Sequence, residues 1–312
     1  MLRIFKTSAD MTLEKLDEIK KNTWIDLVDP TENEIKKVVE TTQIPANLII
    51  KLTDSDETAR IEKEQDASLI VVDVPFVEDR KQKNKYTTLP LGIICYKDYI
   101  VTISVKETDV VTDIIEGRVK WIDTTKRSRL LIQILHRISS LYIRDLKIIN
   151  EEIEDREKTL MKATKNKDLI HLMNLQKSLV YFLTSLKSNE IILEKLEKGT
   201  LIKNFDENIE LLEDAIIENK QGIETAMIYR EIVSSMSETF TGIISNNLNQ
   251  VMKFLAGITI VFSIPNMFAS FFGMNVPLGI FGTYEYSFLF VISSSFVCAL
   301  ILAYLLRKKD ML

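Results

Sequence analysis

FLAGITIVFSIPNMFASFF, residues Phe254–Phe272, runs nineteen residues without a charged side chain. At ~1.5 Å per residue, a helix of that length spans the ~30 Å hydrocarbon core of a bilayer. A second uncharged run of twenty-one residues, Tyr286–Leu306, follows after a short connection. One such run could equally be a buried core helix; two in succession at the C-terminal end predict a membrane hairpin. Lys253 precedes the first run, Arg307, Lys308 and Lys309 follow the second, and the stretch Met274–Glu285 holds neither Lys nor Arg. The positive-inside rule then places both termini in the cytoplasm and the short loop outside. The expected location is the cell membrane, with the large N-terminal part cytoplasmic. Met1–Thr7 reads as a short strand and lacks the apolar run of a signal peptide.

The first run is more than an anchor. Asn249, Met252, Ala256, Thr259, Ser263, Asn266, Ser270 and Gly273 recur three and four residues apart, which sets them on one helix face. All but Met252 are small or polar, while most positions between them are large and apolar. A stripe of small residues is commonly a packing face between spans. A carboxamide at mid-membrane depth is costly unless it pairs or meets water, so Asn266, with Asn249, Thr259 and Ser263, favours a water-lined pore built from several copies. The second run is Phe, Leu, Val and Ile around Ser293-Ser294-Ser295, serines that bond back to their own helix; it reads as a lipid-facing outer span.

Function classes fall away on composition. Two cysteines, Cys95 and Cys298, lie far apart, which rules out a disulfide framework and suits a reducing compartment. Only His136 and His171 are available to a zinc site or an imidazole-based catalyst. A net charge of −5 argues against a nucleic-acid partner. No phosphate-binding glycine loop or nucleophile–base pair is present, so neither an enzyme nor an ATP-driven pump is expected.

Upstream, Ser68–Val77, Leu91–Tyr96 and Tyr99–Val105 are rich in Ile and Val and read as strands. Asp29-Pro30-Thr31 before Glu32 and Glu34 reads as a turn capping a helix through Glu40. The punctuation then vanishes, with no proline between Pro90 and Pro265. Leu130, Ile134, Ile138, Leu141, Leu146 and Ile149 recur at helical spacing. Breaks near Lys162–Lys167 and at Lys198-Gly199-Thr200 predict three long helices. The last would run from about Phe205 into the membrane to Phe272, roughly 100 Å at the standard rise, a length that calls for lateral partners. The acidic run Glu151–Glu157 reads as a solvated helix face. The expected domains are a cytoplasmic α/β domain over 1–125, a long-helix stalk over 126–250 and a two-helix transmembrane domain over 251–312.

The first span closes on Phe272-Gly273-Met274-Asn275, and Gly-Met-Asn at the end of the first of two C-terminal spans resembles the signature of the CorA family of magnesium transporters. Trp24–Thr31, Asp54–Glu62, Pro90–Ile94 and Tyr99–Ile103 are similar to further segments of that family, so the resemblance covers essentially the whole chain. It implies an α+β membrane protein in which an N-terminal α/β domain, a helical stalk and two transmembrane helices assemble as a funnel-shaped homopentamer. It implies that Gly273, Met274 and Asn275 form the selectivity mouth, Asn275 holding a hydrated ion with help from the Gly273 carbonyl. The pore would be lined by Asn249, Met252, Ser263, Asn266 and Ser270, on the stripe that also holds Thr259, with a hydrophobic constriction at Met252 and Leu255. Asp214 falls at a regulatory metal position of the stalk. The cargo implied is Mg²⁺, with Co²⁺, Ni²⁺ or Zn²⁺ as alternatives in the same architecture. A non-conducting helical scaffold is the rival of another class. The loop Val276–Glu285 departs from the Met-Pro-Glu pattern of many relatives, and the tail Arg307–Asp310 is less basic than in some.

Overall fold

The computed structural model describes residues 1–54, 57–64, 66–78, 86–160, 166–199, 208–274, 286–309 and 311. The chain divides into two compact units, Met1–Ser237 and Glu238–Leu312. The first is built on seven strands: β1 (Leu2–Thr7), β2 (Leu13–Leu16), β3 (Trp24–Val28), β4 (Arg60–Glu64), β5 (Ala67–Val77), β6 (Tyr86–Tyr96) and β7 (Tyr99–Ser104). They form one sheet in the order β2-β1-β3-β7-β6-β5-β4. All neighbours are antiparallel except β3 and β7, which run parallel with Asp26 opposite Thr102.

Side-chain alternation sorts the two faces of the sheet. On one face Ile25, Leu27, Leu69, Val71, Ile94, Val101 and Ile103 pack with Val38, Leu48 and Ile49 from α1 (Glu32–Thr42) and α2 (Ala46–Lys51). Thr31 caps α1 in a full capping box with Glu34, as the Asp-Pro-Thr turn implies. α3 (Asp109–Ile115), α4 (Arg127–Leu160) and α5 (Asn166–Glu197) belong to the same unit, with α4 and α5 packed on β5 and α5 also on β6. There the Tyr142 hydroxyl of α4 donates to the Asp73 carbonyl, and Asn189 of α5 brackets Asp73 through both its N–H and its C=O. Phe182 meets Tyr142 and Tyr86 edge-on, at 5.0 and 6.1 Å between centroids.

The third long helix is α6 (Ile209–Phe272), 64 residues, whose last part belongs to the second unit together with α7 (Ser287–Lys308). The periodic residues Leu130, Ile134, Ile138, Leu141, Leu146 and Ile149 are all at most 2% exposed, so the spacing marked the buried face of α4 correctly. The break near Lys162–Lys167 falls largely outside the described residues, as do the start near Phe205 and Thr200 of the second break. In the acidic run, most carboxylates are solvated as expected, but Glu152 turns inward, where the Tyr86 hydroxyl donates to it at 3.1 Å.

Three strands meet in one buried polar cluster. Asp26, fully buried, accepts from the Thr102 hydroxyl at 2.6 Å and from Nε and Nη2 of Arg3 at 2.9 and 2.7 Å. Trp24 Nε1 donates in turn to Thr102. Burial pushes the Asp26 carboxyl above its ordinary range, against the opposing pull of Thr102 and Arg3.

Candidate functional site

The most apolar stretches of α6 and α7 are long enough to cross a membrane, and only 6% and 17% of them is buried within the chain. That exposure separates them from α4, whose periodic apolar face is buried. It leaves lipid or further copies of the chain as their partners.

Within the hairpin, α6 has two unlike faces. Successive residues turn about 100°, so positions three or four apart share a side. Gly257, Ile258, Val261, Ile264, Pro265, Phe268 and Phe272 are buried or half-buried and lie on one side. Asn249, Met252, Ala256, Thr259, Ser263, Asn266, Ser270 and Gly273 are all exposed. Their mean direction is about 180° from the covered side, so the polar stripe runs down the middle of the uncovered face.

α7 buries Ser295, Ala299 and Leu306. Together with Gly257 these are mostly small residues, the composition that lets membrane helices approach closely. The hydroxyls of Ser293 and Ser294 donate to the carbonyls of Phe290 and Val291, both at 3.0 Å, which neutralises them inside their own helix. This packing face was not drawn from the sequence, although the four-residue spacing of Ser295, Ala299 and Ala303 carries the signal.

Two hydroxyls of the stripe bond back to their own helix, as two of α7 do. Thr259 Oγ1 donates to the Leu255 carbonyl at 2.8 Å and Ser263 Oγ to the Ile260 carbonyl at 2.7 Å. With the hydrogen committed to the helix, each hydroxyl oxygen keeps its lone pairs for an outside donor, such as the water shell of a cation. Asn266 forms no side-chain hydrogen bond among the described residues. Pro265 beside it has no N–H, which leaves the Val261 carbonyl without its usual partner. Toward the other end, Met252 and Leu255 are each 57% exposed and carry only apolar atoms.

Where α6 ends, the Gly273 N–H donates to the Ala269 carbonyl at 2.9 Å, and a β-carbon on Gly273 would stand 3.0 Å from the same oxygen. Gly273 and Met274 are exposed at this terminus. Asn275, the loop through Glu285 and Asp310 of the tail lie outside the described residues. A cavity of about 740 Å³ flanks the helix end, lined by Pro265, Asn266, Phe268 and Phe272 of α6 and Phe288 and Val291 of α7 among others.

Asp214 is exposed on α6, beside buried Leu212 and Ala215. No group of three potential metal ligands comes together among the described residues. Asp214 is therefore not joined there by the further carboxylates that a closed metal site within one chain would need.

A sheet-based unit, three long helices and a terminal apolar hairpin with an outward polar stripe define a class of membrane transport proteins. The family described as CorA-like Mg²⁺ transporter protein matches residues 20–308, and the chain belongs to that family. The cobalt/magnesium transport protein CorA of Methanocaldococcus jannaschii is 29% identical over 308 residues, covering 95% of this chain and 94% of that protein. The protein of the same name from Thermotoga maritima is 21% identical, covering 99% and 89%. The complete structure of the CorA magnesium transporter from M. jannaschii superimposes with a TM-score of 0.84 at 26% identity, covering 99% of this chain and 98% of that one.

Proposed function

We propose that the chain is one subunit of a homopentameric channel for passive uptake of Mg²⁺, set in the cell membrane with both termini cytoplasmic. The observation that carries this reading is the outward stripe of α6, above all the carboxamide of Asn266, unpartnered among the described residues. Facing lipid, that group would be costly; facing a shared water-filled axis, it is satisfied. The working division is a cytoplasmic α/β domain over 1–125, a stalk over 126–250 and a transmembrane domain over 251–312.

Hydrated Mg²⁺ is captured at a ring of Asn275, helped by the Gly273 carbonyl next to Met274. It then passes Ser270, Asn266, Ser263, Thr259 and Asn249, with water relayed by their oxygens and amides. Mg²⁺ gives up its waters reluctantly, so a lining of outer-sphere partners suits it better than a cage of carboxylates. The membrane potential supplies the drive, at ~2.3 kcal/mol per charge per 100 mV, or about 4.6 kcal/mol for a divalent ion. Met252 and Leu255 form a hydrophobic ring that closes by dewetting. Cytoplasmic Mg²⁺ bridging subunits at Asp214 holds that ring shut.

The names of the M. jannaschii and T. maritima relatives include cobalt as well as magnesium, which supports Co²⁺ as a second cargo; Ni²⁺ and Zn²⁺ are weaker alternatives for a lining without imidazole or thiolate ligands. The deciding experiment is Mg²⁺ entry into proteoliposomes under an inside-negative potential, wild type against Asn275→Ala. Potential-dependent entry that collapses in the variant supports the channel. If the wild type passes neither Mg²⁺ nor Co²⁺, the reading fails and a membrane-tethered scaffold replaces it.

A further inference from the structure

The sequence holds two histidines, and each faces a glutamate across a seam between long helices. His171 of α5 places Nε2 3.5 Å from Glu152 Oε2 of α4. His136 of α4 places Nε2 3.6 Å from Glu218 Oε1 of α6. All four residues belong to the first compact unit. Both imidazoles of the chain thus bridge helices, one tying α4 to α5 and the other α4 to α6.

The inner pair is incomplete as it stands. His171 is 7% exposed and the Glu152 side chain 12%, and their facing atoms, Nε2 and Oε2, are buried without a hydrogen-bond partner among the described residues. Buried polar atoms are almost always paired, because each has given up water. Tyr86 of β6 donates to the other oxygen of Glu152. Burial first, then the charge of Glu152, raises the Tyr86 pKa, so that hydroxyl remains a donor. Arg144 and Asp145 of α4 act on Tyr86 with opposite signs and are paired with each other at 2.8 Å. Glu78 of the segment after β5 and Lys177 of α5 line the adjoining cavity of about 240 Å³ with Tyr86.

The outer pair is half-exposed, at 32% and 34%. Ser140 donates to the second oxygen of Glu218 at 2.5 Å, which fixes that carboxylate against α4. Arg137, next to His136, is engaged by Asp113 of α3 at 2.5 Å. Glu218 is therefore the carboxylate to which His136 turns.

We propose that His171–Glu152 and His136–Glu218 are proton-operated clasps that tighten the α4–α5–α6 bundle when the imidazoles become charged. With the neutral imidazole's hydrogen on Nδ1, Nε2 and the carboxylate oxygen face each other as two acceptors, and one proton taken up at Nε2 converts them into an N⁺–H···O⁻ bond. At the inner pair a single proton satisfies two orphaned atoms at once, which offsets the cost of a buried charge. The added bond is present while the imidazole is protonated and is lost when that proton leaves as pH rises. Because α6 carries the polar stripe further along, the clasps would make conduction respond to pH; that clause alone rests on the channel reading.

The test is the thermal unfolding midpoint of the full-length protein in detergent, read by intrinsic fluorescence between pH 5.5 and 8.5. The wild-type midpoint should fall by about 2–4 °C per clasp across the neutral range. His171→Gln and His136→Gln should each remove their share of that step, and the double variant should be flat. Should His171→Gln not fold, Glu152→Gln keeps the shape, removes the charge and should flatten the inner step equally. A double variant, or Glu152→Gln, that keeps the full wild-type step overturns the proposal. So does a wild-type step abolished by EDTA, which would make a metal ion the occupant. None of these readouts needs transport, so an inactive protein with an intact step would fail the channel reading and leave the clasps standing.

Discussion

Asn266 lies nine residues after Gly257, half a turn of α6 away, exposed where Gly257 is buried. That opposition divides the helix into a side closed within its own chain and a side left for others. Gly257 has no side chain to hold a neighbour off, which suits the closed side. Asn266 carries a donor and an acceptor that nothing among the described residues uses, which suits the open one.

Replacing Asn266 with Leu tests that division directly. The substitution keeps the size, raises helix propensity and removes the polar head, so the protein should insert and fold as before. Cation flux in vesicles should drop by about tenfold or more, the loss that ~1.4 kcal/mol at one barrier produces. Unchanged flux would mean that the stripe packs rather than conducts.

Arg3 should matter to stability out of proportion to its place in an outer strand of the sheet. It supplies two of the three hydrogen bonds on the buried Asp26 carboxylate, and Glu107 holds its far side at 2.7 Å. Arg3→Ala strands a buried charge and should cost about 3–5 kcal/mol in denaturant unfolding. Burial already raises the Asp26 pKa, so the folded state takes up a proton more readily than the unfolded one. The stabilisation from that uptake is present at low pH and lost as pH rises, and the Arg3→Ala deficit should shrink on acidification.

The N-terminus of α1 gives the opposite sign. Burial opposes ionisation of Glu34, but the Thr31 N–H at 2.9 Å and the terminal ammonium at 3.1 Å together outweigh it and lower its pKa. The charged cap therefore contributes stability above the ordinary carboxylate range, near pH 4–5, that disappears as pH falls through the lowered value. Glu34→Gln should remove that acid-side loss from the unfolding curve. Thr31→Ala should cost about 0.5–2 kcal/mol at neutral pH.

What could be read from the sequence depended on the period of each signal. The hairpin, the α4 core face and the cap at Thr31 each repeat or sit within one or two turns, so local spacing exposes them. β5 was found nearly whole by its Ile and Val run and β6 only in its second half, Leu91–Tyr96 of Tyr86–Tyr96, whereas β4, Arg-Ile-Glu-Lys-Glu, is an edge strand with too few apolar residues to announce itself. The Arg3–Asp26–Thr102 cluster spans positions 23 and 76 residues apart, brought side by side only by sheet register. The stripe on α6 was legible because a helix writes its faces into its own sequence. Its relation to α7 was not, because that depends on which small residues the second span turns inward. The two histidine clasps stayed hidden for the same reason: each joins residues on different helices, and no spacing rule links them.

Asp214 separates conduction from its control. It is exposed on α6, one turn from the Glu218 that pairs with His136, and no three-ligand group forms among the described residues. A cation held there must draw its remaining ligands from water and from another copy of the chain, so a bound ion would act by fixing subunits against one another. Asp214→Ala removes one negative charge from an exposed helix surface and should leave unfolding within about 0.5 kcal/mol of wild type. Mg²⁺ entry at low internal Mg²⁺ should also be unchanged. With millimolar Mg²⁺ preloaded inside, wild-type entry should be suppressed and the variant's should persist several-fold higher. Equal suppression in both would remove Asp214 from the control of the channel while leaving the pore itself untouched.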